Sequence, residues 1–416
     1  MKRIAAFLAA IVAVLAISGC SGIPAAGLIT AASYPETAKN IVNDDTGYNE
    51  FAAVTAPVFL ANDADNKIYC PANMYLSLGA TAEITDGNTR AQILDVLGVR
   101  DMKTLRERAY WLGYSEYSDS DTHKCILSGA VWLNDDIMYD RETLQQLADN
   151  YFFSSYSGKC GSPEYDRVFR DWLNAQTDGL LHNSVSNERI APETVAAVST
   201  TDNFADRWKD RYRKTEKLTF YKPDGSTVCD CLPGGGQMMY YWGEKFSCIP
   251  IRFENNGEMR FILPDEGISP EELLNDEETA ALLAASSLTD LKNKRKMQVS
   301  YRIPKFDITY DIELKEGMEA LGITDVFGTD TSDFSPLTAG YEDDVVLSSA
   351  KQASRVTVDE NGCKAASYQQ IYVSGAAPLP EELERINIVF NRPFIFEIVS
   401  KAGHPLFIGI VGDPGE

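Results

Sequence analysis

Histidine is scarce in this sequence, and the patterns that mark most enzymes are missing. Three histidines, His123, His182 and His404, occur among 416 residues, and none stands in a nucleophile or metal-ligand pattern. The Gly-x-Ser-x-Gly turn of many hydrolases is also absent. Because acyl transfer needs a nucleophile beside a base, a hydrolase is the least favoured class. Nothing in the sequence indicates a metal or a cofactor.

Basic residues are few relative to acidic ones. The 38 Lys and Arg against 61 Asp and Glu give a net charge of -23, which repels a phosphate backbone and excludes nucleic acid as a partner. After the amino-terminal segment, no apolar run is long enough to span a bilayer. The 44% of hydrophobic residues allows a sizeable core, in one large domain or two ordinary ones.

The cysteines lack the spacing of a disulfide framework. Cys229-Asp230-Cys231 lacks the two-residue gap and the second ligand pair of a zinc site, so we interpret it as an incidental surface pair. Residues 233–236, Pro-Gly-Gly-Gly, have no following Lys-Ser/Thr and predict a turn, not a phosphate-binding loop. Seven cysteines follow the amino-terminal segment, an odd number that leaves at least one free thiol: Cys70, Cys125, Cys160, Cys229, Cys231, Cys248 and Cys363.

The amino terminus has the pattern of a targeting segment. Lys2 and Arg3 precede an apolar run over 4–17, and Ile-Ser-Gly-Cys at 17–20 resembles the cleavage box of bacterial lipoproteins. This resemblance implies a signal peptide at 1–19 and diacylglycerol on Cys20. We therefore expect a lipid anchor and flexible tether at 20–45, on the outer side of a bacterial membrane, and a folded domain at 46–416. The alternatives are a plain secretory signal, an uncleaved anchor or later release.

Apolar spacing predicts helices in the first half of the chain and many strands in the second. Helical spacing occurs at 48–60, 87–98, 141–151, 165–179 and 314–321. Strand patterns occur at 127–134, 194–208, 218–223, 259–264, 301–308, 387–390, 392–398 and 405–411. Trp172 lies on the apolar stripe of its helix and is predicted to be buried.

Residues 359–380 have two readings. At the strand period of two, one face is small or apolar at its leading positions, and the other carries Lys364, Tyr368 and Tyr372. The segment begins behind Asn361-Gly362, a pair that tolerates positive φ, and ends near Pro378, which cannot donate to a ladder. It is either an ordinary strand or a loop that can become one.

Several motifs resemble the serpin family, in the family's order, from about residue 48 to 414. They include the helix at 87–98, Trp-Leu-Asn-Ala-Gln-Thr-Asp-Gly at 172–179, the strand and turn at 259–267, Arg-Pro-Phe at 392–394 and Asp-Glu-Asn-Gly-Cys-Lys-Ala-Ala-Ser at 359–367. The resemblance implies an α+β serpin fold, with helices around three mainly antiparallel sheets. It also implies an exposed reactive-centre loop at about 360–385.

The same resemblance implies a suicide-type protease inhibitor with no catalytic residues of its own. A serine protease would cleave the loop, and the freed segment would insert into the central sheet while the acyl-enzyme is trapped. The expected partner is a serine protease, with a cysteine protease as a second class, and the inhibitor is expected to be a monomer. A non-inhibitory serpin that acts as a cell-surface binding module is the alternative.

The resemblance also assigns the site residues. The hinge comprises Glu360, Gly362, Cys363, Ala365 and Ser367, and the family's spacing places the scissile bond at Ala376-Ala377. An alanine before this bond suits a shallow pocket, as in elastase-like or subtilisin-like enzymes. The extra length before Arg392 leaves bonds after Val373, Leu379 or Arg385 as alternatives.

Some positions depart from the family pattern. Cys70 and Asn73 replace small hydroxyl residues under the sheet, Thr200 or a neighbour replaces an asparagine, and Gln352 replaces a histidine. Since all four are polar or soft, a hydrogen-bonded cluster is still expected. Gln369 is the inward loop position with no favourable account.

Overall fold

The computed structural model describes residues 27–32, 34, 46–61, 65–338, 340–341, 343–363 and 383–415. Within them the helices are α1 (Thr46–Phe59), α2 (Pro71–Glu83), α3 (Gly87–Val96), α4 (Met102–Glu116), α5 (Arg141–Tyr151), α6 (Pro163–Gln176), α7 (His182–Val185), α8 (Pro270–Leu274), α9 (Glu277–Leu283) and α10 (Lys315–Ala320). No helix of these ranges is both long and apolar enough to cross a bilayer.

The strands fall into two groups along the chain. The first group is β1 (Leu28–Thr30), β2 (Asn66–Tyr69), β3 (Ser118–Asp119), β4 (His123–Asn134), β5 (Phe153–Gly158), β6 (Ala196–Arg207), β7 (Glu216–Lys222) and β8 (Gly225–Trp242). The second group is β9 (Phe246–Arg252), β10 (Glu258–Pro264), β11 (Lys294–Pro304), β12 (Phe306–Glu313), β13 (Lys351–Val358), β14 (Gly362–Cys363), β15 (Arg385–Val389), β16 (Phe394–Val399) and β17 (Pro405–Val411).

One sheet, called sheet A here, has the order β1-β5-β4-β6-β14-β13-β12, with β3 on β4. Strands β4 and β6 pair antiparallel from His123 to Leu133, and β12 pairs with β13 along its full length. Between these two blocks lies only the two-residue strand β14. This interruption is the feature on which the site depends.

The other sheet has the order β15-β11-β8-β9-β10-β16-β17-β2, with β7 on β8. The sheets expected as second and third form one hydrogen-bonded network here, because the long strand β8 pairs with β11, β7 and β9. The turn predicted at 233–236 is wrong, since these residues lie inside β8 opposite β11. A Cβ on Gly234 would overlap the ring of Tyr301, so the glycines permit close strand approach.

The core lies between the two sheets and the helices. Helix α2 is almost entirely buried there, and strands β16 and β17 are buried along their whole length. On the other face of sheet A, α6 packs on β4, where Trp172 and Phe169 contact Trp132 edge to face. Trp172 is 3% exposed, which confirms its predicted burial.

Part of the predicted tether is a strand. Within the segment 20–45, β1 pairs antiparallel with β5 at the edge of sheet A. The ring of Tyr34 stacks on Phe152 and Tyr117, with centroids 4.5 and 4.1 Å away. These described residues are therefore anchored on the folded domain. Cys20 lies outside the described residues.

Candidate functional site

The candidate site is the break in sheet A between β6 and β13. Within the described residues no ladder joins these strands directly. They are connected at one end through β14, where Cys363 pairs with Asp206 on one side and with Val358 on the other. Below this point, the facing edges of both strands lack a sheet partner, so there is space in the hydrogen-bonding plane for another strand.

Backbone contacts fix the start of the predicted hinge. The Trp208 N–H donates to the Asn361 carbonyl at 3.2 Å, and the Trp208 indole N–H donates to the Asp359 carbonyl at 2.7 Å. Trp208 is held by stacking on Phe253, with ring centroids 5.1 Å apart. A Cβ on Gly362 would overlap the Asp206 carbonyl oxygen, so this position requires glycine for the close approach of the two backbones.

Cys363 is part of the core and is 4% exposed. Burial raises the pKa of its thiol to about 12, with smaller contributions from the nearby Asp206 and Asp359 carboxylates. The thiolate is the reactive form of cysteine, so this residue behaves as a small apolar side chain. Its inward orientation places the face that begins at Cys363 toward the interior.

Glu360 forms an ion pair at the same end of the site. Its carboxylate lies 2.6 Å from the Lys305 ammonium, and the side chains are 42% and 30% exposed. The hydrogen bond from Lys305 holds the pKa of Glu360 below its usual value. The pair ties the hinge to the residue between β11 and β12. Sequence patterns did not point to Lys305.

A cleft of about 350 Å³, partly open to solvent, lies directly below Cys363. Its walls come from both strands: Asp202 and Phe204 from β6, and Arg355, Val356 and Thr357 from β13. At its outer face Arg355 donates to the Leu180 carbonyl at 3.2 Å and pairs with Asp307 at 2.7 Å. The cleft therefore runs along the line on which β14 would continue.

The polar cluster expected under the sheet is present in altered form. The Cys70 N–H donates to Gln352 Oε1 at 2.8 Å, and Gln352 Nε2 donates to the Cys70 carbonyl at 3.0 Å. The Thr200 hydroxyl donates to the Asn73 carbonyl over 3.4 Å, a long bond. Asn73 Oδ1 is buried and has no hydrogen-bond partner among the described residues. Hydrogen-bonding capacity remains unused here.

Asp202 is the site residue that our sequence reasoning missed. Its carboxylate Oδ2 lies 3.7 Å from Cys70 Sγ, and Oδ1 is buried without a hydrogen-bond partner in the described part of the chain. Burial raises the pKa of Asp202 well above its usual value, and Glu116 adds to this effect. The available signal was an acidic residue at the inward period of β6, between Thr200 and Phe204.

The remaining predicted residues are distributed as follows. Ala365, Ser367, Gln369, Ala376 and Ala377 lie outside the described residues. The seven cysteines from Cys70 to Cys363 are all buried and unbridged. The surface interpretation of Cys229-Asp230-Cys231 is wrong, because both thiols point from β8 into the core. The described residues contain no cluster of three potential metal ligands.

Comparisons with known proteins agree on one family. The model described as Serpin (serine protease inhibitor) matches residues 46–414. An uncharacterized serpin-like protein of Thermococcus kodakarensis is 25% identical over 370 residues, covering 85% of this chain and 82% of that protein. Neuroserpin of Mus musculus is 26% identical over 371 residues, covering 84% and 86%.

Solved structures show the same fold. The thermophilic serpin tengpin in its native state matches with a TM-score of 0.77 at 24% identity, covering 92% of this chain and 97% of that one. Tengpin in its latent state matches with a TM-score of 0.75 at 22% identity, covering 90% and 100%.

Proposed function

Because the chain belongs to the serpin family of serine protease inhibitors, we propose that it traps a serine protease by cleavage and insertion of its reactive-centre loop. The observation that carries this proposal is the open cleft between β6 and β13, with β14 already seated at its upper end. A strand that continued β14 would gain ladder bonds on two sides and bury Ala365, Ile371 and Val373.

The test has two parts. The protein is first mixed with a panel of serine and cysteine proteases, and a complex that resists SDS is expected with at least one serine protease. The thermal midpoint is then measured before and after a single cut within 364–382, and the nicked form is expected to melt higher. An unchanged or lower midpoint, with no stable complex, would favour the alternative of a binding module that does not insert its loop.

We further propose an elastase-like or subtilisin-like target, cut at Ala376-Ala377. Alanine offers no cation or aromatic ring to a deep specificity pocket, and the next bond lacks an amide N–H because Pro378 follows. Mass spectrometry of the released carboxy-terminal fragment tests this assignment. A fragment that begins at Ala377 is expected, whereas one that begins at Ile386 would indicate a trypsin-like target.

The proposed location is the outer side of a bacterial membrane, with lipid on Cys20. Stable anchoring needs more than one acyl chain, which a lipoprotein modification supplies. Replacing Cys20→Ala should move the protein from the detergent phase to the aqueous phase in a partition experiment, while the complex with protease is retained. Recovery of the unaltered protein from its native host wholly in the aqueous phase would contradict the anchor.

A further inference from the structure

The pairing of β14 defines the register of any strand that continues it. In an antiparallel ladder, each step forward on one strand is a step backward on its partner. Since Cys363 lies opposite Asp206 and Val358, Ala365 would lie opposite Phe204 and Val356. These flanking side chains are buried and apolar. The first inward position after Cys363 therefore matches an apolar level of the cleft.

The next two inward positions reach polar levels. Ser367 would lie between Asp202 of β6 and Ser354 of β13, and Gln369 would lie between Thr200 and Gln352. Beyond them, Ile371 would lie opposite Val198, so the match returns to apolar. The order apolar, polar, polar, apolar on the loop thus repeats the order on the cleft walls.

We propose that Asp202, Thr200 and Gln352 form a register-setting receptor for Ser367 and Gln369 of this chain when the loop inserts. The inference rests on the proposed function and deepens it, because it names the side chains that select one register. It also accounts for Gln369, the inward residue that has no favourable explanation from the sequence. The receptor side chains are described; the segment that would occupy it is named from the sequence.

The receptor has unused hydrogen-bonding capacity at the required levels. Asp202 Oδ1 is buried and unpartnered in the described residues, and it could accept from the Ser367 hydroxyl. Gln352 spends one bond of each amide atom on Cys70 and retains one further donor and acceptor. Asn73 Oδ1 is a second buried acceptor without a described partner, beside Thr200.

Register errors would be penalised by the same groups. A slip of one residue would turn Lys364, Tyr368 and Gln370 inward. A slip of two residues would place Ser367 beside Phe204 or Thr200, and would leave Asp202 facing an alanine or the larger Gln369. Buried polar groups without partners are costly, so the matched register is favoured over its neighbours.

Two adjacent glutamines provide a matched test. Gln369→Leu and Gln370→Leu change the same chemistry on opposite faces of the inserted strand. The measured quantity is the rise in thermal midpoint on nicking. Gln369→Leu should reduce this rise by roughly 2 °C, the shift that about 1 kcal/mol produces in a large domain, and Gln370→Leu should not. Equal effects, or a larger effect of Gln370→Leu, would overturn the proposal.

A double-mutant cycle tests the other pair. Ser367→Ala should lower the nicking-induced rise in the unaltered background, but have little effect when combined with Asp202→Leu. Asp202→Asn, which keeps an acceptor, should retain the sensitivity to Ser367→Ala. Additive effects of Asp202→Leu and Ser367→Ala would overturn the proposal. The Gln369 and Gln370 variants remain informative even if Asp202→Leu fails to fold, since they lie in the loop.

The unaltered protein separates the two levels of the argument. If nicking produces no rise in thermal midpoint, the proposed insertion fails, and the receptor fails with it. If nicking produces a rise, but the matched variants do not differ, insertion stands and the receptor alone is overturned.

Discussion

The two edges of β6 differ more than any other pair of neighbouring strands in the structure. The edge toward β4 is paired from His123 to Leu133, whereas the edge toward β13 is closed only by Gly362 and Cys363. The same twelve-residue strand is thus a central strand on one side and almost an edge strand on the other. The difference shows that sheet A is built as two blocks with a site between them.

The polar residues follow this difference. On the outer face of β6, Asn203 donates to the Gln176 carbonyl and to Asp178, each at 3.0 Å. On the inner face at the cleft, Asp202 Oδ1 has no described partner. Exposed edges and unpaired buried acceptors are unfavourable in a finished sheet. Such a cleft is consistent with a state held by a kinetic barrier, in which an inserted strand would complete both the ladder and the polar pairs.

The largest effect is expected from a charge at the first apolar level of the cleft. Ala365→Glu would place a carboxylate between Phe204 and Val356, at a cost of several kcal/mol if it has no partner. Insertion should then fail, and the protein should be cleaved as a substrate. The measurement is the fraction of protease recovered in an SDS-resistant complex, expected to fall by roughly tenfold or more.

The matched control for this change is Ala366→Glu. It introduces the same side chain one residue later, on the face that would point away from the core. Complex formation should be reduced much less than with Ala365→Glu. If both variants lose the complex equally, the two faces of the loop are not distinguished and the assigned register is wrong.

A smaller effect is expected from neutralising Asp202. Burial raises the pKa of this carboxyl in the folded state, and the groups that face it, Cys70, Cys125 and Glu116, add no cation. Folding is then disfavoured increasingly as the pH rises above the unfolded pKa, because ionisation is easier in the unfolded chain. Asp202→Asn should leave the thermal midpoint of the intact form unchanged near about pH 4 and raise it by roughly 2 °C near neutral pH.

Asp307→Asn is the control of opposite sign. The hydrogen bond from Arg355 lowers the pKa of Asp307, so the carboxylate contributes stability above its unfolded pKa that is lost as the pH falls. This variant should lower the midpoint at neutral pH, and its difference from the unaltered protein should shrink on acidification. The pH dependence assigned to Asp202 would be contradicted if Asp202→Asn behaved in the same way as Asp307→Asn.

The smallest effect is expected at the upper end of the cleft. The Glu360–Lys305 pair is partly exposed, and such pairs contribute about 0–1 kcal/mol. Glu360→Gln should therefore lower the midpoint of the intact form by no more than roughly 2 °C, and added salt should reduce the difference. Glu313→Gln, which breaks the more exposed pair with Lys351, should have a still smaller effect. A larger loss at Glu360 would mean that the pair holds the hinge in place.

Local patterns were sufficient for much of the fold. The helix predicted at 141–151 coincides with α5, whose amphipathic stripe and Asp140 cap are local features. The turn predicted at 233–236 was wrong because glycine has two uses, and only the partner strand shows that close approach to Tyr301 is the one in force. The burial of Cys229 and Cys231 likewise depends on which face of β8 meets the core.

The sequence by itself determined the family, the α+β class, the hinge at Gly362 and Cys363, and the alternation of small and large residues along the loop. These features depend on residue type and spacing, which are written in the chain. Only the tertiary structure decided that β6 and β13 are separated, that Lys305 meets Glu360, and that Asp202 lies unpaired in the cleft. Each of these depends on residues far apart in sequence, whose packing no local period encodes.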